Sequence, residues 1–328
     1  MMILVTGGAG YIGSHTVKML LEHGYETVTF DSMELGHPEA VLGGEIFRGD
    51  LMDPQSVYRA FEDYPIDAVV HFAAYAAVGD SVANPEKYFR NNMVGGLNLL
   101  QAMLSHGVEH IIFSSSAATY GEPNHVPIEE AHPQSPTNPY GETKLMFEKV
   151  LRWYDVAYGM KSVSLRYFNA SGADPDGKIG EDHEPEQHLI PLILQVPLGK
   201  RDSIRVFGTD WDTPDGTCIR DYIHVNDLAE AHILALRALE RGAETTAYNL
   251  GNGDGYSVKQ VIETAEKVVG RRIAWEPACR RPGDPARLVA GSDKLRGELN
   301  WQPKYPQLDR IIETAWNWHV GHPNGYGV

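Results

Sequence analysis

The chain has 328 residues, of which 42% are hydrophobic and 22% charged, a composition typical of one large globular domain or two closely joined ones. Its 28 Lys and Arg residues against 44 Asp and Glu residues give a formal net charge of −16, which disfavours general binding to nucleic acid or anionic membrane. Cys218 and Cys279 are too few for a disulfide framework, and no apolar run approaches the roughly 20 residues of a membrane helix. Because the chain starts in an apolar strand rather than a signal peptide, we expect a cytoplasmic protein.

The first half of the chain alternates short apolar runs with amphipathic stretches. In chain order these are MILVTG, SHTVKMLLEHG, ETVTFD, QSVYRAFED, DAVVHFAA, a long helical segment from Pro85 to Gly107, and HIIFSSS. Val17, Leu20 and Leu21 share one helical face, and Gly24 follows as a helix stop. Buried-looking strands that alternate with helices predict an α/β fold with a parallel sheet covered on both faces.

The second half begins with a predicted helix from Tyr140 to Tyr158 and a strand, SVSLRYFN. Region 172–221 is rich in Pro, Gly, Asp and His around the apolar patch HLIPLILQV, which predicts a smaller domain. DYIHVNDLAEAHILAL then predicts a helix capped by Asn226 or Asp227. We therefore expect a first domain over 1–170, with a return segment near 220–250, and a smaller C-terminal domain mainly in 171–328.

The stretch VTGGAGYIGSH places Gly7, Gly10 and Gly13 directly after a strand and before a helix. Glycines there let the backbone turn tightly and approach a pyrophosphate, whose charge is stabilised by the helix N-terminus. The alternative, a glycine-rich turn without a ligand, is disfavoured by this context. The stretch predicts a doubly wound, Rossmann-type parallel sheet that binds a nucleotide.

Two aspartates follow later strands of this predicted sheet. Asp31 ends the second strand, about 20 residues beyond the glycine turn, where a carboxylate can accept both hydrogen bonds of an adenosine ribose. Its neighbours Ser32 and Met33 offer no arginine for a 2′-phosphate, so we expect NAD rather than NADP. Asp50, in GDLMD after a third strand, could accept a hydrogen bond from the adenine amine, but it equally suits a turn.

Tyr140 and Lys144 lie one helical turn apart at the start of a helix, so their side chains share a face. A free phenol has a pKa of about 10, and a neighbouring ammonium or a cationic nicotinamide would favour its phenolate. Ser116, in FSSSAATYG, can hydrogen-bond a substrate hydroxyl beside Tyr140, whereas Ser114 and Ser115 suit structural positions. This Tyr and Lys spacing is frequent on surface helices, but its place after a nucleotide-binding strand and a serine cluster favours a catalytic site.

These residues, together with HFAA, YGETK and RYFN, resemble the extended short-chain dehydrogenase/reductase superfamily nearly end to end. Within it the chain resembles the UDP-glucose 4-epimerase family, also called UDP-galactose 4-epimerase, because HLIPLILQV, FGTDWDTPDGTCIRDYIHV, YNLGNG and RRPGDPARLVA are similar to its segments in order and spacing. The resemblance implies a retained NAD, oxidation of a UDP-hexose at C4 to a 4-keto sugar, rotation of that sugar, and return of hydride to the opposite face. It also implies an NAD-binding first domain, a UDP-sugar-binding second domain, and a homodimer built on the two long helices.

The resemblance also assigns roles to the positions that match the family's motifs. Catalysis would fall to Ser116, Tyr140 and Lys144. The cofactor site would comprise Gly7, Gly10, Tyr11, Ile12, Gly13, Asp31, Ser32, Asp50, Leu51, Phe72, Ala73, Ala74, Asn92, Ser114, Tyr140, Lys144 and Phe168. The UDP-sugar site would comprise Ser116, Tyr140, Asn169, His188, Leu189, Val206, Arg220, Arg281 and Asp284, and no metal ion is expected. Planar arginine forks suit diphosphate oxygens, although most arginines in so acidic a chain form surface ion pairs.

Three departures from related patterns refine this expectation. Dehydratases of the superfamily carry an Asp-Glu pair where this chain has Ala117 and Ala118, so 4,6-dehydration should fail. Tyr75 and Ala76 stand where well-known epimerases carry a lysine, which removes a cationic contact to the cofactor diphosphate and would weaken NAD retention. Leu288 stands where some members have a tyrosine that restricts the sugar pocket, so N-acetylated hexoses are expected to enter.

Two alternatives remain open at this point. A 4-epimerase of another UDP-sugar, such as an N-acetylhexosamine, a pentose or a uronic acid, would share all of this machinery. A non-catalytic NAD-binding regulator would not need a base, so the intact Ser116, Tyr140 and Lys144 set disfavours it.

Overall fold

The computed structural model describes residues 1–281 and 284–327, which surround a seven-stranded parallel sheet. Its strands are β1 (Met2–Thr6), β2 (Glu26–Asp31), β3 (Glu45–Arg48), β4 (Ile66–His71), β5 (His110–Ser116), β6 (Lys161–Tyr167) and β11 (Thr246–Leu250). They are ordered β3-β2-β1-β4-β5-β6-β11, and all neighbouring pairs are parallel. The predicted α/β fold with a doubly wound parallel sheet is confirmed.

Helices cover both faces of this sheet: α1 (Tyr11–Glu22), α2 (Pro54–Asp63), α3 (Val78–Ala83), α4 (Pro85–Tyr88), α5 (Gly96–Ser105), α6 (Pro139–Tyr158) and α8 (Val225–Glu240). Alternate residues of β1 enter opposite cores, Ile3 and Val5 facing α1 and α8, and Leu4 facing α2, α5 and α6. Such two-sided burial explains why the strands are continuous apolar runs. Among the described residues, no helix is long and apolar enough to cross a membrane.

The strand order reverses between β1 and β4, which leaves a crevice at the carboxyl ends of these two strands. The glycine turn follows β1, Phe72 follows β4, Ser116 ends β5 and Phe168 follows β6. Because all these strands run in the same direction, the predicted cofactor and catalytic residues collect along one edge of the sheet.

The remaining segments form a second layer beyond that edge. Its elements are β7 (Asn169–Ser171), α7 (Leu189–Gln195), β8 (Ile204–Phe207), β9 (Ile219–Arg220), β10 (Tyr222–His224), β12 (Tyr256–Ser257), α9 (Val258–Val269), β13 (Trp275–Ala278), β14 (Arg287–Leu288) and α11 (Leu308–Gly321). The helix α10 (Asp293–Leu299) instead packs against β11 and α8 of the large sheet. Ile193, Val206, Ile262 and Ile311 belong to a separate core packed among α7, α9 and α11. The motif RRPGDPARLVA crosses this region, and its Pro282 and Gly283 lie outside the described residues.

Two local predictions differ from the observed structure. The segment predicted as one helix from Pro85 to Gly107 contains a π-helical piece, Phe89–Gly95, between α4 and α5. The predicted cap of α8 was wrong: His224 precedes the helix and its side chain accepts a hydrogen bond from the Asn226 N–H at 3.1 Å. Asp227 instead accepts hydrogen bonds from the N–H groups of Lys304 and Tyr305, so distant partners override its capping tendency.

Candidate active site

The turn after β1 is built so that only glycine fits at two positions. Gly7 has a φ of +71°, and a Cβ there would lie 2.6 Å from the Ala73 nitrogen. A Cβ on Gly13 would lie 2.1 Å from the Gly7 carbonyl oxygen, which shows how closely α1 packs on the turn. Gly10 caps α1 without any side-chain hydrogen bond, and no acidic residue occupies the first turn, so the N–H groups of Tyr11 and Ile12 remain suited to an anion. This local structure fits the diphosphate of a dinucleotide.

Asp31 lies at the end of β2 beside the glycine turn. Its two carboxylate oxygens accept hydrogen bonds from the N–H groups of Ala9, at 3.0 Å, and Met33, at 2.9 Å. Burial raises the pKa of Asp31, although both hydrogen bonds oppose the rise. Each oxygen keeps further acceptor capacity, so the carboxylate can receive ribose hydroxyls, and Ser32 is exposed next to it.

Asp50 and Leu51 follow β3, farther along the same edge. The Asp50 carboxylate accepts a hydrogen bond from the Met52 N–H at 2.8 Å, the arrangement of a turn-forming aspartate. Asp50 is exposed and Leu51 is buried in the core below it. The turn therefore orients the carboxylate toward the outside, where an adenine amine could reach it.

The segment after β4 contacts the glycine turn directly, since the N–H groups of Phe72 and Ala73 both donate to the Thr6 carbonyl oxygen. Ala74 continues this segment into Tyr75. Asn92, in the π-helical piece, exchanges hydrogen bonds of 2.9 and 3.0 Å with the Tyr75 backbone. The π-helical piece thus fixes the loop that follows β4.

Tyr75, where the resemblance implied the loss of a cationic contact, has partners that the sequence did not indicate. Its hydroxyl donates to the Glu34 carboxylate at 2.6 Å, and the Lys87 ammonium lies 4.0 Å from the centre of its ring. Burial, followed by the Glu34 carboxylate, raises the pKa of this phenol. A positive charge therefore lies next to this loop, supplied by Lys87 of α4, which also contacts the Asp80 carboxylate at 3.5 Å.

Tyr140 and Lys144 begin α6, where the local sequence specifies the start of the helix. The Asn138 side chain accepts a hydrogen bond from the Gly141 N–H at 2.9 Å, and Pro139 occupies the first helical position. Tyr140 is 8% exposed and Lys144 3% exposed, so the pair lies inside the molecule rather than on a surface helix. The Lys144 ammonium lies 5.7 Å from the centre of the Tyr140 ring and donates to the Ser114 carbonyl oxygen at 2.7 Å.

Burial shifts both catalytic candidates toward their neutral forms. It raises the pKa of Tyr140, and the hydrogen bond from Ser116 lowers it by less. It lowers the pKa of Lys144 to about 7, against the opposing effect of the Glu148 carboxylate. A buried phenol of this kind needs nearby positive charge to become a base, and both Lys144 and the oxidised nicotinamide ring of NAD can provide it.

Polar groups behind the catalytic residues hold them in place, and sequence reasoning missed most of these contacts. The Ser114 hydroxyl is hydrogen-bonded to the Tyr167 hydroxyl, and the Ser115 hydroxyl donates to the Glu148 carboxylate at 2.6 Å. Arg166 forms a buried ion pair with Glu148 at 2.6 Å. The structural role expected of Ser115 agrees with these contacts, which depend on residues far apart in the chain.

The residues assigned to the UDP-sugar lie in the second layer. Asn169, on β7, donates to the Asp221 carbonyl oxygen at 2.8 Å, and Phe168 precedes it, directly after β6. Val206 is buried on β8, and the Arg281 guanidinium lies 4.0 Å from the centre of the adjacent Phe207 ring.

A second group of these residues lies on neighbouring small strands and on α7. Arg220 lies 3.7 Å from the Asp284 carboxylate, so the structure brings these two together. Leu288 on β14 pairs in register with Arg220 on β9. His188 contacts the Glu181 carboxylate, and Leu189 begins α7.

Comparisons with known proteins agree with this architecture. The pattern of the NAD dependent epimerase/dehydratase family matches residues 3–251. A UDP-glucose 4-epimerase of Halalkalibacterium halodurans is 54% identical over 328 residues, which cover 100% of this chain and 98% of the relative. The crystal structure of UDP-glucose 4-epimerase from Bifidobacterium longum in complex with NAD+ and UDP is 40% identical, with a TM-score of 0.94 and coverage of 99% and 100%. The UDP-Glc/GlcNAc 4-epimerase from Campylobacter jejuni is 43% identical, with a TM-score of 0.85 and coverage of 98% and 99%. The chain therefore belongs to the NAD dependent epimerase/dehydratase family, in its UDP-glucose 4-epimerase branch.

Proposed function

We propose that this protein is an NAD-dependent enzyme that interconverts UDP-glucose and UDP-galactose. The observation that carries the proposal is the buried Tyr140 and Lys144 pair at the carboxyl edge of the sheet, in a chain about half identical to named UDP-glucose 4-epimerases over its full length. Ala117 and Ala118 supply no acid or base for the elimination of water, so the site is suited to reversible oxidation alone.

The residues of the chain divide the work of this reaction. When bound, NAD would supply a nicotinamide ring that can accept a hydride from the sugar and return it. Tyr140 takes the proton from the sugar hydroxyl at C4 and returns it after the 4-keto sugar has rotated. Ser116 hydrogen-bonds the same hydroxyl, and Lys144 provides the positive charge that makes the Tyr140 phenolate accessible.

Cofactor and nucleotide would be held by different parts of the molecule. Gly7, Gly10, Tyr11, Ile12 and Gly13 would surround the cofactor diphosphate. Asp31 and Ser32 would hold the adenosine ribose, Asp50 and Leu51 would border the adenine, and Phe72, Ala73, Ala74, Asn92, Ser114 and Phe168 would line the remaining path to the nicotinamide.

Arg220 and Arg281 would neutralise the UDP diphosphate, with Asn169, His188, Leu189, Val206 and Asp284 around it. Arg220 is half-buried and its nearest carboxylate, that of Asp284, lies at 3.7 Å, beyond hydrogen-bond distance. A firmly held nucleotide and few contacts to the hexose would let the keto sugar rotate between the two hydride transfers. Residues 1–170 with the segment 220–250 would form the NAD-binding domain, and most of 171–328 the UDP-sugar domain.

Incubating the purified protein with UDP-galactose should produce UDP-glucose, and UDP-N-acetylglucosamine should also be turned over. The second expectation depends on Leu288, a half-buried residue paired with Arg220, because leucine leaves more room for an acetamido group than tyrosine does. Both conversions can be followed by separating the nucleotide sugars after the reaction. A chain that binds NAD but converts neither sugar, nor a UDP-pentose or UDP-uronic acid, would be a non-catalytic regulator.

The variant Leu288→Tyr tests whether Leu288 determines which UDP-sugars the enzyme accepts. It should lower kcat/KM for UDP-N-acetylglucosamine about 10- to 100-fold, because a steric clash costs about 1–3 kcal/mol, and leave UDP-galactose nearly unaffected. If wild-type protein rejects the N-acetylated sugar while converting UDP-galactose, Leu288 does not set the size of the pocket.

We also propose that the protein forms a homodimer through α5 and α6. An apolar surface, here called the α5–α6 face, combines Val94, Leu97, Met146, Trp153, Val156 and Tyr158, all exposed on neighbouring helical segments. Trp153 is 70% and Val156 77% exposed, an unusual state for large apolar side chains so close together. A second copy that buried the same helices would form a four-helix interface. We further propose that the protein acts in the cytoplasm and serves galactose metabolism.

The variant Trp153→Glu should convert the dimer to a monomer, because the interface would have to bury a carboxylate without a partner. Sedimentation or light scattering would show the mass falling from two chains to one. The control is Val320→Glu, which places the same charge on α11 at an apolar residue that is also exposed. Loss of the dimer in both variants, or in neither, would contradict an interface on the α5–α6 face.

A further inference from the structure

Four side chains in the loop between β7 and α7 converge outside the catalytic triad. These residues, here called the Glu–His cluster, are Glu181, His183, Glu186 and His188. Each offers one nitrogen or oxygen atom, and the four atoms lie within 4.8 Å of one another. The spacing E-x-H-x-x-E-x-H places all four on one eight-residue loop.

Glu181 is the centre of the cluster. One of its carboxylate oxygens lies 2.6 Å from Nδ1 of His188 and 3.3 Å from Nδ1 of His183. Glu181 is only 4% exposed, yet this oxygen and the His183 Nδ1 have no partner with hydrogen-bond geometry among the described residues. Burying such atoms without a partner costs free energy, so short contacts with unsuitable angles require another explanation.

A cation bound by these atoms would supply the partner that the Glu181 oxygen and the His183 Nδ1 lack. Two imidazole nitrogens and two carboxylate oxygens form a ligand set typical of Zn²⁺, whereas Mg²⁺ and Ca²⁺ prefer oxygen ligands alone. Ligands placed about 2.0–2.2 Å from a tetrahedral Zn²⁺ lie about 3.4 Å from one another. The 3.3 Å contact between Glu181 and His183 and the 3.4 Å contact between Glu186 and His188 match that separation, whereas the 2.6 Å contact between Glu181 and His188 would have to lengthen on binding.

We propose that the Glu–His cluster is a binding site for a divalent transition metal ion, for which Zn²⁺ is the best match. Glu181 and Glu186 have nearly buried side chains, while His183 and His188 are partly exposed and leave a path for the ion to enter. As metal ligands the imidazoles are neutral and release any proton they carry, so that the two carboxylates leave two negative charges for a divalent ion to neutralise. A single ion bound by all four side chains would hold the two ends of the segment 181–188 together.

The location of the loop indicates what such closure does. The Tyr11 ring packs edge-on against the His183 ring at 6.3 Å, and the Tyr11 hydroxyl donates to the Gly172 carbonyl oxygen at 2.7 Å. Leu189 begins α7 immediately after His188. The metal would therefore fix the connection between the first turn of α1 and α7, and the Nε2 of His188 would remain free to donate to a phosphate. This positioning role, unlike the metal site itself, rests on the proposed function.

Titrating Zn²⁺ alone into the full-length, NAD-loaded protein after chelator treatment tests the site by calorimetry. We expect one high-affinity Zn²⁺ per chain and a rise in Tm on binding. Glu181→Gln and His183→Gln should each weaken binding more than the roughly 10- to 100-fold that loss of a second-layer partner costs. Co²⁺ should give the strong visible absorption of a tetrahedral site in the wild-type protein.

The control variant His125→Gln removes an exposed histidine elsewhere and should bind Zn²⁺ as the wild type does. Equal Tm values of all variants in chelator would show that lost binding does not arise from misfolding. Absence of saturable Zn²⁺ binding by the wild type, or equal affinity in the Glu181→Gln variant, would overturn the site. A Co²⁺ spectrum unchanged from that of the hydrated ion would overturn it independently of any variant.

Discussion

The variant Tyr140→Phe should lose epimerase turnover by about 10²–10⁴-fold while still binding NAD, because it removes the proposed base and leaves the ring in place. Tyr140 is almost fully buried, and phenylalanine fills the same volume without a polar atom. Turnover of UDP-galactose gives the first measurement. The amount of NAD released on denaturing the purified variant gives the second.

Tyr154→Phe is the matched control, since Tyr154 lies on the same helix, is only partly buried, and packs on Tyr158 away from the serine cluster. It should retain wild-type turnover. Wild-type turnover in Tyr140→Phe would mean that another group takes the proton. Equal losses in both variants would instead indicate that α6 tolerates no change of this kind.

Local signals in the sequence predicted where several of the candidate residues lie in the fold. A glycine turn after an apolar strand, an acid at the end of the next strand, and Tyr140 with Lys144 one turn apart at a helix start are features of short segments, and the structure places them along one edge of the sheet. These residues lie together because all strands of a parallel sheet end at its carboxyl edge.

Contacts between distant residues could not be predicted in the same way. Lys87 reaches Tyr75 only because the π-helical piece and the loop after β4 pack together. His224 caps α8, although Asn226 and Asp227 have the stronger local tendency, because Asp227 binds a backbone segment 77 residues away. The convergence of Glu181 and His188 likewise depends on how one loop closes. In each case a polar side chain of ordinary appearance acquires its role from folding.

The variant Lys144→Met should also lose turnover, because no positive side chain would remain beside Tyr140 to favour its phenolate. The loss should be of the same order as that expected of Tyr140→Phe, about 10²-fold or more. Methionine is similar in length, so the packing of α6 should survive, although the Ser114 carbonyl oxygen loses a hydrogen-bond donor. Activity is again measured with UDP-galactose.

The same substitution should change stability in a manner that depends on pH. Burial lowers the pKa of Lys144 to about 7 in the folded protein, whereas an unfolded lysine has a pKa of about 10.4. Below pH 7 both states are protonated, so the folded wild type bears the full cost of a buried ammonium. Between pH 7 and about 10 the unfolded state binds more protons, so the stability of the wild type rises with pH.

The stability of Lys144→Met relative to the wild type should therefore fall by about 3 kcal/mol between pH 6 and pH 9. Thermal or denaturant unfolding measures the difference, after NAD has been removed from both proteins so that unequal cofactor binding adds nothing. Lys149→Met, at an exposed position of the same helix, should differ from the wild type equally at both pH values. If the stability difference between Lys144→Met and the wild type is as independent of pH as that of Lys149→Met, burial does not destabilise the Lys144 ammonium. That result would contradict a pKa of Lys144 lowered by burial, whereas the role of Tyr140 as the base is decided separately by the turnover of Tyr140→Phe.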